Sequence, residues 1–272
     1  MRNISFQDYK NLYLSVKNKK YLNSIKITLF LRMIFSLNDL KWHVDQIATI
    51  IKDNNIHVVK FLFSDSAGHI RCITLPSNKI DSNAINELMS ILNIEEFSLY
   101  GGQAFLYPDS STGFYDAFSV QQVYCVLCSI VDQNLSHIDD RAFLCQNNLI
   151  MQIECKIILE LNNDSELFID SYSDIRTEIL LEGIKAGVDI NSHYTTNHKN
   201  FILSFSANSI LCFADCFQKL KIIIVNIFAS YGKNFITELY SSKLVLLIKD
   251  DKIQFRELLF DSININPYII DC

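Results

Sequence analysis

The chain has 272 residues, 49% of them hydrophobic and 12% aromatic, which is ample material for a packed core and excludes a disordered protein. Lys and Arg number 24 against 30 Asp and Glu, a net charge of -6 with no basic tract, so the electrostatic footprint of a nucleic-acid binder is absent. Seven glycines and three prolines leave little raw material for phosphate-cradling loops or strained catalytic turns.

In chain order, residues 6 to 21 read as a polar helix, and the apolar run "ITLFLRMIF" (27 to 35) is broken by Arg32 and too short to span a bilayer, so it reads as buried. No leader-like pattern opens the chain, and the expected compartment is the cytoplasm. From Leu37, "LNDLKWHVDQIATIIKDNN" sets Leu40, Val44, Ile47 and Ile51 on one helical face, with Asn38 as the expected cap. "HVVKFLFSDSAGHIRCITL" follows as two strands around a Ser-Ala-Gly turn, with Val59, Phe61 and Phe63 on one side. A short helix at 82 to 93 precedes strand-like runs at "EEFSLYGGQAFLY" and "QQVYCVLCSIVD". This order of elements predicts a small α+β unit ending near Asp132.

A second unit starts at "SHIDDRAFLCQNN", with Ser136 as a helix cap, and continues into "IMQIECKIILEL", a strand that turns from half-buried to central. In "DIRTEILLEGIKAG", Ser173 or Asp174 can cap, Leu180, Leu181 and Ile184 share a face, and Gly187 sits where a left-handed C-cap is wanted. Residues 208 to 232 are apolar nearly all round, as a central helix would be. Two short strands, "KLVLLI" and "IQFREL", close the chain around Asp250 and Asp251. The expected division is a helical extension over 1–37, a first unit over 38–132 and a second over 133–272.

Chemistry-bearing residues are few. Cys125 and Cys128 form a C-x-x-C inside a strand, where positions three apart face opposite sides and cannot clamp one metal. Cys212 and Cys216, four apart on a helix, have His193 and His198 near them in sequence; a zinc site and a pair of core thiols are both compatible with the spacing, and the apolar helix favours the thiols. The eight cysteines fall mostly within apolar elements of a large chain, the pattern of reduced thiols rather than of a disulfide scaffold. No Walker loop, G-x-G-x-x-G or G-x-S-x-G occurs, and Gly101-Gly102 reads as a turn. Glu154 and Lys156, two apart on a strand, project to the same face, either into one pocket or as an exposed ion pair.

The order of these pieces resembles glutamine synthetase over residues 38 to 240. "IATIIKDNNIHVVKFLFSDSAGHIRCITLP" is similar to that family's opening helix and first β-grasp hairpin, and "LYPDSSTGFYDAF" to its Met-Pro-Asp-x-Ser-Thr segment ending in Asp-Pro-Phe. "CSIVD" and "DDRAFL" stand where a Cys-Asp-Ile strand and an Asp-Pro-Arg helix start would, "DIRTEILLEGIKAG" resembles the Asp-Ile-Arg-Ser-Glu helix, and the helix from Ser206 resembles the long one that follows it. The fold implied is α+β: an N-terminal β-grasp unit followed by an incomplete catalytic α/β domain, an antiparallel sheet with packed helices.

The family's activity is ATP-dependent amidation of glutamate by ammonia, with Mg²⁺ held by carboxylates because hard ions take oxygen ligands. Against its Glu-Pro-Glu strand this chain has Glu154-Cys155-Lys156, which keeps the first acid as a vestigial metal ligand and sets an ammonium in place of the second. Against its acidic His-His-Glu loop stands "NSHYTTNHKNF", where Phe201 and the His193–Thr195 stretch take the acid positions, and no Asp or Glu occurs between Ile190 and Ala214. Nothing in "SSKLVLLIKDDKIQFRELLFDSININPYIIDC" resembles the family's arginines for ATP and glutamate. The resemblance therefore implies a truncated homologue, catalytically inactive, with no cofactor expected and Mg²⁺ and ATP only if activity persisted. The alternatives are a regulatory or structural subunit, in a homo-oligomer or docked on a full-length paralogue, and residual ligase activity; neither nucleic acid nor membrane is an expected partner.

Overall fold

The computed structural model describes residues 24–65, 69–94, 104–116, 119, 122–132, 135–136, 138–146, 150–161, 168–196, 200–231, 239–249 and 255–260. Two five-stranded sheets share one central helix. The first is built from β1 (Val58–Ser64), β2 (Ile70–Pro76), β3 (Ala104–Pro108), β4 (Phe114–Tyr115) and β5 (Val123–Asp132), in the order β2-β1-β5-β3 with β4 also on β5. β1 and β2 form the expected antiparallel hairpin, closed by His69 N–H donating to Asp65 Oδ1 at 2.9 Å, while β1 and β5 run parallel. Residues 66–68 of the turn and the 6–21 and Gly101-Gly102 stretches lie outside the described residues.

β5 is the strand on which this sheet depends, and its sequence explains why. Val123 to Val131 are all buried, because both faces are covered. Tyr124, Val126 and Cys128 join Val59, Phe61 and Phe63 of β1 in one core; Val123, Cys125 and Leu127 join Leu62 in another. The two cysteines of the C-x-x-C therefore point into different cores, as alternation along a strand requires.

The first core is closed by α1 (Ser24–Asp53), whose Leu40, Val44 and Ile47 are fully buried. α1 does not begin at Asn38 as its capping chemistry suggested. It runs straight through that residue, because thirty residues without Gly or Pro make a single Asn a cost of only a few tenths of a kcal/mol. The boundary expected between 37 and 38 thus falls inside a helix. A short helix, α2 (Ile85–Ile91), is preceded by one turn capped by Asp81, whose Oδ1 accepts from Asn83 N–H at 2.8 Å.

The second sheet has the order β10-β9-β6-β8-β7 and is antiparallel throughout: β6 (Ile150–Leu161) is central, flanked by β8 (Asn200–Ser209) and β9 (Leu239–Lys249), with β7 (Ile190–Thr196) and β10 (Phe255–Phe260) outside them. The segment 190–201, expected as a loop, is the β7–β8 pair, with 197–199 outside the described residues. Tyr194, Thr195, Thr196, Phe201 and Ile202 are strand formers, and the stretch pairs as a ladder. Three helices serve this sheet: α3 (Asp140–Gln146), α4 (Phe168–Lys185) and α5 (Ile210–Ser230). α3 starts four residues after Ser136, whose N–H instead donates to Asp132 Oδ1 at 2.8 Å in the preceding turn.

α4 differs from expectation twice. It begins at Phe168, so Ser173 and Asp174 are interior, and its buried stripe is Ile175, Ile179, Gly183 and Ala186, while Leu181 and Ile184 are 49% and 54% exposed. Two apolar stripes compete on this helix. The one with Gly183 wins because a bare Cα lets α4 approach β7 and α5: a Cβ there would come within 2.5 Å of Ile190 Cδ1 and 3.1 Å of Leu220 Cδ2. The C-cap is as expected. Gly187 adopts φ +76°, its N–H donates to Ile184 O at 2.9 Å, and Val188 N–H donates to Gly183 O at 3.0 Å, the paired bonds of a Schellman ending.

α5 is capped by Ser209, whose Oγ accepts from Cys212 N–H at 3.1 Å, and is buried on nearly every side. Phe213, Phe217, Leu220, Ile224 and Ile227 belong to one continuous cluster with Leu62, Val123 and Leu127 of the first sheet and Ile153, Cys155, Ile157 and Phe205 of the second. No described helix is long and apolar enough to cross a membrane.

Gly187→Ala adds a methyl that meets nothing within 4 Å, so its cost isolates the backbone strain of φ +76°. It should lower stability by about 1 kcal/mol, read as a fall in the urea midpoint at unchanged slope.

Candidate functional site

Arg141, in the first turn of α3 and 3% exposed, sits where the first sheet meets α3 and α5. β3 ends at Pro108, and the next residue, Asp109, caps a single turn over Ser110–Thr112: its Oδ1 accepts from Ser111 N–H at 3.1 Å and from Ser111 Oγ at 2.6 Å. Thr112 anchors that turn to β5. Leu127 sits in the gap between the β3 and β4 pairings, and its N–H donates to Thr112 Oγ1 at 3.0 Å. The turn then aims Asp109 Oδ2 at Arg141, which donates to it from Nη2 at 2.8 Å.

From α5, Asp215 takes the same guanidinium bidentately, with Nε to Oδ1 at 2.9 Å and Nη2 to Oδ2 at 2.7 Å, and Nη1 reaches Ser129 Oγ on β5 at 3.1 Å. One cation thus ties together the β3 turn, β5, α3 and α5. Burial pushes the Asp109 carboxyl up, but the adjacent Arg141 charge and hydrogen bonds outweigh it and hold the group below the usual carboxylate range. Asp109 and Arg141 lie in the two motif stretches "LYPDSST" and "DDRAFL", yet neither their contact nor Asp215 was anticipated. The available signal was that Asp215 is the sole acid on an otherwise apolar helix, where an unpaired charge would be costly.

Three further polar contacts line the same junction. Lys219 of α5 is 7% exposed and donates from Nζ to Ala186 O at 3.0 Å at the C-terminus of α4, with the ring of Phe114 5.7 Å away; burial lowers its pKa. Lys60 of β1 donates to Asp116 Oδ2 at 2.6 Å. Cys216, hydrogen-bonded to Cys212 and buried, is held above the ordinary thiol range, and the same hydrogen bond draws Cys212 below it. Within the described residues no group of three or more His, Cys, Asp and Glu is disposed to hold a metal. His193 pairs in register with Leu203 on β8, and His198 lies outside the described residues.

Asp39, His43 and Ser110 carry the residue types of a nucleophilic triad. Ser110 Oγ is 2.9 Å from His43 Nδ1, and His43 Nε2 is 3.9 Å from Asp39 Oδ2. Ser110 N–H also donates to Nδ1 at 3.0 Å, and Ser111, Thr112 and Gly113 spend theirs inside the turn. No donor of this turn is left to stabilise an oxyanion, so the trio is a lock between α1 and the turn rather than a catalytic centre.

Glu154 and Lys156 lie on the face of β6 opposite the buried row Ile153, Cys155, Ile157 and Leu159. Glu154 is exposed and Lys156 half-buried, and no salt bridge joins them. Directly across from Glu154 stand Ser206 and Leu247; across from Lys156, Ser204 and Val245; Phe201 pairs with Leu159 and Thr195. One carboxylate with an ammonium two residues along and no acid at the facing positions does not fit a divalent ion.

No family model and no curated protein matches the sequence. Among solved structures, the fold is similar to that of GmaS. The chain is similar to apo GmaS without ligand, with TM-score 0.56 and 13% identity, covering 76% of this chain and 58% of that one. It matches a GmaS/ADP complex equally, with TM-score 0.56 and 12% identity, covering 76% of this chain and 56% of that one. The likeness is one of fold, and the chain spans less than two thirds of the length of GmaS.

Arg141→Met keeps the side-chain bulk and strands two carboxylates, so it should cost about 3–5 kcal/mol in chemical denaturation. The Asp109 pKa is depressed in the folded state, so the unfolded chain binds more protons between the two values. Stability should therefore be full above about pH 4 and fall as pH drops through the folded pKa, and Arg141→Met should lose that part of the acid dependence when urea midpoints are followed down the pH scale.

Proposed function

We propose that this chain is a glutamine synthetase (glutamate–ammonia ligase) homologue that keeps the scaffold and has lost the ligase chemistry. The observation that carries the reading is the open face of β6, where Glu154 is followed by Lys156 and faced by Ser206 and Leu247. Three charge-neutral or cationic neighbours stand beside this one acid, where Mg²⁺ would need several. Glu154 is then a vestigial ligand, and ATP and Mg²⁺ are not bound as substrates.

The strand order β2-β1-β5-β3, with a parallel central pair, supports reading residues 38–132 as a β-grasp-like unit. The antiparallel sheet with α3 to α5 supports reading 133–272 as an incomplete catalytic-like domain. A cytoplasmic setting is in keeping with seven cysteines that are all free thiols among the described residues. A second reading, a regulatory or structural subunit in a homo-oligomer or on a full-length paralogue, is favoured by the intact Arg141 junction, which holds the scaffold together whether or not the Glu154 face binds an ion. Size measured alone and after mixing with such a paralogue separates the two; unchanged monomeric behaviour in both sinks the subunit reading.

The purified chain, given glutamate, ammonium, ATP and Mg²⁺, should form no glutamine above a no-enzyme control, and calorimetry with Mg²⁺-ATP should give no binding heat. ATP-dependent glutamine formation would overturn the inactive reading.

A further inference from the structure

Cys212 and Cys216 stand one turn apart at the start of α5, and Lys219 follows on the same stripe, the i, i+4, i+7 spacing that stacks side chains on a helix. Cys216 is 8% exposed and Cys212 half-buried, so the core covers the pair on one side and solvent reaches it from the other. The two sulfurs face each other: the Cys216 thiol is hydrogen-bonded to Cys212, whose sulfur also takes the backbone N–H of Asn208.

We propose that Cys212 and Cys216 form a two-coordinate site for a soft, thiophilic cation, Cu(I). The other uses of such a pair fail on geometry. A disulfide needs Cβ atoms roughly 3.5–4.5 Å apart, and one helical turn sets them at about 5–6 Å, so closing it would unwind the start of α5. Structural zinc takes four ligands, and among the described residues no group of three or more His, Cys, Asp and Glu is disposed to hold a metal. Hard ions take oxygen ligands and gain little from sulfur. A soft ion held by thiolates spans the gap that a disulfide cannot, because the metal puts a second bond between the sulfurs. No electrons move: each sulfur binds as a thiolate, any thiol proton passes to water, and the bis-thiolate centre keeps one net negative charge. Lys219 compensates that charge, since its ammonium acts on both sulfurs while the Ala186 carbonyl holds it in place. The acid between the cysteines, Asp215, is paired with Arg141. The site lies on α5, apart from the Glu154 face, and is independent of any ligase chemistry.

The test adds Cu(I) without oxygen to the reduced full chain, in competition with the chelator bathocuproine disulfonate. The parent should retain one equivalent, which Cys212→Ser and Cys216→Ser should each lose and which Cys72→Ser and Cys145→Ser, at the exposed thiols, should keep. X-ray absorption at the copper edge should show two sulfur neighbours. In the parent, one equivalent of Cu(I) should slow alkylation of Cys212, read by mass spectrometry, about tenfold or more, because a metallated thiolate is no longer a free nucleophile. Failure of the parent to retain Cu(I), or retention unchanged in a folded Cys212→Ser or Cys216→Ser, would overturn the proposal. So would undiminished labelling of Cys212, a measurement on the parent that decides even where a variant does not fold.

Discussion

Everything else in the structure is arranged around the need to satisfy the Arg141 guanidinium once it is removed from water. A planar cation with five donors, buried where four elements meet, must find acceptors from several of them. It does so on Asp109, Ser129 and Asp215 at 2.7 to 3.1 Å. Two carboxylates around one guanidinium leave the cluster negative, and the two Ser111 bonds to Asp109 Oδ1 disperse that excess. The geometry is specific because each partner comes from a different part of the chain: a shift of α5 along the sheets or a slip of the β3 turn breaks a charge-assisted bond and cannot be repaired by water.

α5 complements this polar clamp with an apolar one. A helix buried between two sheets cannot use the usual device of a wet face, so its polar residues each need an assigned partner: Asp215 on Arg141, Lys219 on the carbonyl that ends α4, Gln218 on Ser64. The first sheet is consequently not an appendage. Leu62, Cys125 and Leu127 belong to the same core as Ile153 and Phe205, and neither sheet could bury its inner face without α5. Exposed Leu181 and Ile184 on α4 mark where that demand stops, on the side turned away from the packed stripe.

The open face of the second sheet contrasts with this tightly paired interior. Ion-binding sites in such folds need several oxygens converging from neighbouring strands, and convergence depends on residues at facing register positions. Here the facing positions hold Ser, Leu and Val, so Glu154 has no acid opposite it. Fold likeness to GmaS and ligase chemistry are therefore separate questions, because a fold does not by itself carry a site.

Much of the fold was readable from local rules. Alternation assigned the faces of β1 and sent Cys125 and Cys128 apart, an all-round apolar sequence marked α5 as central, and Gly187 announced a left-handed cap, because each depends on neighbours a few residues away. Local rules misled where two local solutions were nearly equal. Asn38 could cap or be passed over, α4 had two apolar stripes, and 190–201 could be loop or ladder; packing chose among them through the close approach at Gly183 and the pairing of β8 with β6. The lone acids of the site show the same division. The absence of carboxylates between Ile190 and Ala214 is a property of the sequence by itself, since no arrangement of that segment can supply residues that are not there. The partnership of Asp109, Arg141 and Asp215 was decided only in three dimensions, because residues 32 and 74 positions apart meet solely through the placement of whole helices and sheets.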